Sequence, residues 1–242
     1  MKIKLFEEAL QNFCEVCIDM KSNEKAFQAY YAHFVIKKLE ESIPLKDAIK
    51  LVHREGHLNN QALIELAGNA EIFAQAPWEK FPDLSISHFP IDNRHSNTRE
   101  FNFEELKGKT NTTADWLLAQ SIVTEFKVTS SVLKSKQQEK DVRKDLIKLA
   151  LFASARNAAL KQFPIQKKFE ICMVILDNHP KRSLSNDPQY RFGGTAMNNL
   201  LDFGSSWPEN IPTPIVYVLL KWDDGNGLKP KFDKYVNWKK VN

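Results

Sequence analysis

The chain has 242 residues, 43% hydrophobic and 26% charged, with only 8 glycines and 11 prolines. That composition excludes a fibrous repeat and a disordered polyelectrolyte, and the length suffices for one sizeable core. A formal net charge of +4 is compatible with a polyanionic partner without requiring one.

The first residues, MKIKLFEEALQNFCEVCIDM, carry Glu7, Glu8 and Glu15 within their apolar pattern, which the apolar stretch of an export signal would not tolerate. No run approaches the roughly 18 to 20 apolar residues needed to cross a bilayer. An intracellular (cytoplasmic) protein with no membrane partner is therefore expected.

Apolar residues three and four apart, at Leu5, Ala9, Leu10, Phe13 and Cys17 and then at Phe27, Tyr30, Tyr31, Phe34, Val35 and Leu39, predict two helices. Ser22 and Asn23 supply a cap between them, and Pro44 opens a third. A fourth helix is expected over Asn59 to Ala74, weakened at Gly68. Residues 1–76 thus read as a helical N-terminal region packed on an α/β core of residues 77–242.

Two-residue alternation and prolines begin at APWEKFPDLSISHFP. Strands are expected near 83–89, 99–106, 113–119 and 121–129, then a long helix over 137–162 with Val142, Leu146, Leu149, Ala150 and Ala153 on one face and lysines on the other. KFEICMVILD reads as a strand covered on both faces. RFGG leads to a short helix near 196–201, and TPIVYVLLKW is the last expected strand. The fold class that follows is α/β, a mixed central sheet flanked by helices with one crossover helix.

Three cysteines give no disulfide framework; Cys14 and Cys17 share a helical face, Cys172 reads as a small buried hydrophobe, and packing is the expected role of all three. His53 and His57 read as a surface pair, since no third ligand is in view. The two glycines of YRFGGTAMNN read as a turn before a helix, although a helix N-terminus there could hold a phosphate. The tail KPKFDKYVNWKK interleaves lysines with Phe232, Tyr235 and Trp238, which suits either unstacked bases or a packed aromatic edge.

The chemistry concentrates in TTADWLLAQSIVTEFKV. On a strand, Val123, Glu125, Lys127 and Thr129 share one face, while Ile122, Thr124, Phe126 and Val128 share the other. If a tight turn near Gln120 and Ser121 makes this stretch a hairpin, Asp115 faces Glu125 or Lys127 across the ladder. Two converging carboxylates repel unless a cation sits between them, and hard oxygen donors suit Mg²⁺ or Mn²⁺.

Asp115 followed by Glu125-Phe126-Lys127, then a lysine-bearing helix and a buried strand, resembles the D…(D/E)-x-K signature of the PD-(D/E)XK nuclease superfamily, with Ala114 where that name has proline. The resemblance spans about residues 60–177. It implies a restriction-endonuclease-like core and a Mg²⁺- or Mn²⁺-dependent endonuclease acting on double-stranded DNA. Asp115, Glu125 and Lys127 would be catalytic, with Asp115 and Glu125 holding metal and Lys127 assisting the attacking water. An acidic residue on the preceding helix would be Glu65 or Glu71. Lys134, Lys136, Arg143 and Lys144 would meet the phosphate backbone, and cutting both strands would call for a homodimer.

A second triplet, Glu105-Leu106-Lys107, has a literal Pro82-Asp83 upstream, but it runs into polar, glycine-containing sequence, so the later triplet is preferred. The rival expectation from another class is a catalytically inactive nucleic-acid-binding or interaction protein on the same scaffold.

Overall fold

The computed structural model describes residues 2–17, 20, 22–54, 58, 60–68, 70–77, 82–88, 112–129, 135–162, 168–177, 197–223 and 228–241. Helix α1 (Lys2–Cys17) buries Phe6, Ala9, Leu10, Phe13, Cys14 and Cys17, a single stripe at three- and four-residue spacing. Helix α2 (Glu24–Glu40) answers it with Phe27, Tyr31, Ala32, Val35 and Leu39. The α2 N-terminus is capped as expected, because the Asn23 side chain accepts from the Ala26 N–H at 2.9 Å.

Pro44 stands at the N-cap of α3 (Leu45–Leu51), which runs directly into β1 (Val52–His53). The fourth expected helix is split. Helix α4 (Asn60–Ala67) stops at Gly68, whose φ of +82° lies in the left-handed region, and a 3-10 turn follows over Glu71–Gln75. Glycine adopts that conformation at no steric cost and so ends the helix.

The described residues form a seven-stranded sheet in the order β1 to β7. Strand β2 (Leu84–Ser87) is antiparallel to β1 and to β3 (Gln120–Thr129). Helix α6 (Ser135–Gln162) then crosses over to β4 (Glu170–Asp177), parallel to β3, and α7 (Met197–Ser205) lies between β4 and β5 (Ile215–Asp223), also parallel. The α/β class and the mixed sheet are as expected.

Both faces of the sheet are covered. One carries α1 and α2, whose Phe13 ring meets Phe126 of β3 nearly edge-on at 5.8 Å between centroids. The other carries α4, α6 and α7, with Val142, Leu146, Leu149, Ala150 and Ala153 turned inward as their spacing predicts. Cys14, Cys17 and Cys172 are buried within the first of these cores and form no disulfide.

Three further expectations change. The stretch expected as a strand at 113–119 is helix α5 (Thr112–Ala119). Ala114, Trp116, Leu117 and Leu118 are all buried, and a segment apolar on several sides without a two-residue period packs as a buried helix that satisfies its own backbone. TPIVYVLLKW is not the last strand, because the basic tail forms β6 (Leu228–Val236) and β7 (Lys239–Val241). Asn237 and Trp238, at φ 49° and 62°, make the tight turn between them. His53 is not at the surface: it is buried in β1, with Nε2 3.2 Å from Ser87 Oγ. The strand expected at 99–106, the RFGG loop and His57 lie outside the described residues.

Candidate active site

Strand β3 alternates as expected, but both of its faces are buried. Val123 and Glu125 point toward α6, and Ile122, Thr124 and Phe126 toward α1 and α2. Glu125 is therefore a carboxylate in the interior, with a relative exposure of 1%.

Its neighbours are set by β2 and α6. Leu84 pairs with Thr124, so the same antiparallel register carried one step further sets Asp83 opposite Glu125. The Asp83 carboxylate accepts the Phe126 N–H at 2.7 Å, a bond that a longer β2 would have supplied from its backbone. From α6, the Lys148 ammonium lies 2.5 Å from Glu125 Oε2 and 3.9 Å from Asp145.

Lys127 sits one pleat further along. Its ammonium lies 3.3 Å from Asp145 and 3.4 Å from Glu24, the first residue of α2. Glu24 also accepts the Val128 N–H at 3.1 Å. Four carboxylates, Glu24, Asp83, Glu125 and Asp145, thus surround two lysines, Lys127 and Lys148.

The electrostatics follow from burial and crowding. Burial, then the charges of Asp83 and Asp145, push Glu125 well above the ordinary carboxylate range against the pull of Lys148. Burial likewise raises Asp83 to about 6, opposed by Lys148 and the Phe126 N–H. For both lysines burial works against the charge, but the surrounding carboxylates prevail and hold the ammonium groups above their usual range.

Asp115 is not brought beside Glu125. The ladder that would have joined them does not exist, because β3 pairs with β2 and β4 rather than with residues 113–119. Helix α5 ends at Ala119, and Gln120 is five strand steps from Glu125, about 17 Å along β3. Ala114 and Leu118 of α5 cluster with Ala159, eleven residues beyond Lys148 on α6, about 16 Å along the helix. Asp115 is 8% exposed, and burial alone raises it to about 6.

Glu65 and Glu71 are exposed, and the acidic side chain from a preceding helix that does reach this cluster is Glu24. Arg143 of α6 is 2.6 Å from Glu139, and its guanidinium lies over the Phe203 ring at 5.0 Å. Lys144 is half-buried, Lys134 lies outside the described residues, and the side chain of Lys136 is likewise not described. Lys148, counted from its spacing among the outward lysines of α6, is 6% exposed and turned to the sheet.

Sequence reasoning missed Asp83, Asp145, Lys148 and Glu24. The Pro82-Asp83 pair was visible, but linear order assigned it to the nearer triplet at 105–107. The i, i+3 spacing of Asp145 and Lys148 was also visible, without any local sign that β3 lay beneath it.

Among the described residues no group of three or more His, Cys, Asp or Glu side chains is arranged to hold a metal ion. Two observations bear on whether this donor set suits one. Glu125 Oε1 is buried without a hydrogen-bond partner, the orphan acceptor that a cation would satisfy. With every group ionised, four carboxylates against two ammonium groups also leave a formal deficit of two positive charges, which one hard divalent cation matches.

Comparison with protein-family models, with curated proteins and with solved structures finds no match to this chain. Among the described residues no helix is long and apolar enough to cross a membrane.

Proposed function

We propose that this chain is a divalent-cation-dependent nuclease on a restriction-endonuclease-like core, with Asp83, Glu125 and Lys127 at its centre and Asp83 in the role first expected of Asp115. The observation that carries this reading is the Asp83 carboxylate bound to β3 opposite the buried Glu125, with Lys127 two residues along the same strand. We read this as a D…(D/E)-x-K constellation assembled across a strand pair. What supports such a core is the antiparallel β2–β3 pair followed by the crossover helix α6 and the parallel strand β4, with helix α5 in place of one expected strand.

Asp83 and Glu125 would hold Mg²⁺ or Mn²⁺, and such an ion, when bound, polarises a phosphoryl oxygen and acidifies a water. Lys148 neutralises one Glu125 oxygen, so the second is the one left for the cation. Lys127 would orient the attacking water and offset charge on the phosphate, since its ammonium stays protonated between Asp145 and Glu24. Double-stranded DNA is the proposed substrate, with Lys144, Lys134 and Lys136 along its backbone. Arg143 would first have to leave Glu139. A second copy of the chain would supply the site for the other strand.

The Lys148–Glu125 pair favours a second reading, a nucleic-acid-binding protein on this scaffold whose carboxylate is permanently compensated. The test is cleavage of plasmid DNA and of RNA with Mg²⁺ or Mn²⁺ by the parent, Glu125→Ala and Lys127→Ala. The nuclease reading expects cleavage by the parent and loss in both variants. Binding without cleavage by the parent establishes the second reading.

A further inference from the structure

Where β2 begins, β3 has no further strand partner on that side among the described residues, while β4 pairs with its other edge through Thr129. Leu84 is the first paired residue of β2, opposite Thr124, yet β3 continues to Thr129. The N–H groups of Phe126 and Val128 point to that vacated side, and each would otherwise need water or another strand. Two carboxylates take them instead, Asp83 at Phe126 and Glu24 at Val128.

The two are not equivalent. Asp83 immediately precedes the paired residues of β2. Glu24 comes from the other layer of the molecule, where Asn23 and the packing of Phe27 and Tyr31 hold the α2 N-terminus in place. One Glu24 oxygen accepts from Val128, and the other lies 3.4 Å from the Lys127 ammonium. Asp145 holds the same ammonium at 3.3 Å from α6 on the opposite side of the sheet. Lys127 is thereby gripped from both layers.

We propose that Glu24 is a positioning residue for Lys127, tying the N-terminal helices to the reactive lysine so that the placement of α2 sets its orientation. The inference rests on the nuclease reading given above. It removes the boundary between a helical N-terminal region and a self-sufficient core, because the grip on Lys127 is incomplete without the first turn of α2. A ligand or partner that shifts α2 would act on cleavage through this carboxylate.

Glu24→Gln keeps an acceptor for Val128 and removes the charge beside Lys127, whereas Glu24→Ala removes both. Hydrogen exchange at the Val128 amide should stay slow in Glu24→Gln and speed up in Glu24→Ala; unchanged exchange in Glu24→Ala overturns the grip whatever the activity. Cleavage should fall roughly 10- to 100-fold in kcat for both variants, the usual range for residues that orient a reactive group. KM, and DNA affinity in Ca²⁺, should stay within about twofold, as expected of a residue that does not touch the substrate. In a Lys127→Ala background, Glu24→Gln should cost nothing more, because it acts through that lysine.

Losses that multiply in the double variant overturn the proposal. So does unchanged kcat in both Glu24 variants while Glu125→Ala abolishes cleavage, an outcome that leaves the nuclease reading standing. A parent that cleaves nothing overturns both.

Discussion

The Asp83 carboxylate accepts the Phe126 backbone N–H at 2.7 Å, across 43 residues of chain. A side chain there does the work of a strand, and it does so opposite Glu125. The register that results sets the Asp83 carboxylate, immediately before β2, opposite the fully interior Glu125.

On the proposed nuclease reading, cleavage should depend on Asp83 rather than on Asp115. Replacing it with Asn keeps an acceptor for Phe126 and removes the charge a cation needs; an initial-rate loss of about 100-fold or more on plasmid DNA is expected, as for other residues acting in the transition state. Asp115→Asn should cleave within about threefold of the parent. The reverse pattern would return the site to α5.

Lys148 and Glu125 form a buried pair, at 6% and 1% exposure. Removing one partner strands the other charge, so Lys148→Met alone should destabilise the fold by about 3–5 kcal/mol. Adding Glu125→Gln to that variant should recover most of the loss. Urea unfolding of the two single variants and the double variant measures it, and full additivity would mean that the two groups do not interact.

Asp83 is raised from 3.8 to about 6, chiefly by burial. The folded state therefore holds its proton after the unfolded state has released it. Its contribution to stability is complete below about pH 4 and declines as pH rises to about 6. Asp83→Asn should gain stability relative to the parent across that window, read from urea midpoints at pH 4 and pH 7. If Asp83 and Glu125 hold Mg²⁺ as proposed, a hundredfold excess over its Kd at pH 7 should stabilise the parent by about 2.7 kcal/mol, and the same concentration should stabilise it less at pH 5, where Asp83 is protonated. Chelation should return the midpoint to its starting value.

Gly204 of α7 lies under the Trp238 ring, so that an added Cβ would clash with the ring carbons. Trp238 has little room to retreat, being held against Trp207 at 5.3 Å and Phe203 at 6.3 Å between ring centroids, in a tight left-handed turn. Gly204→Ala should cost about 1–3 kcal/mol by overpacking. In a Trp238→Ala background the same change should be close to neutral, and a double-mutant cycle by chemical denaturation checks it.

Much of this protein is set by neighbours along the chain. The stripes of α1, α2 and α6, the Asn23 cap, the break at Gly68 and the two faces of β3 all follow from three- to four-residue or two-residue periods and from single capping groups. Those signals act over a few residues, and a short window of sequence contains them whole. TTADWLLA exceeds that reach: its residues tolerate helix or strand, and burial against α4 and α6 chose the helix. The same limit governs the site. Glu125 and Lys127 were legible because both lie on one strand, but their partners Asp83, Lys148 and Glu24 arrive from β2, α6 and α2, the last across 104 residues to Val128. Which carboxylate meets Glu125 depends on which segment pairs with β3, and only the packing of both layers onto one sheet decides that.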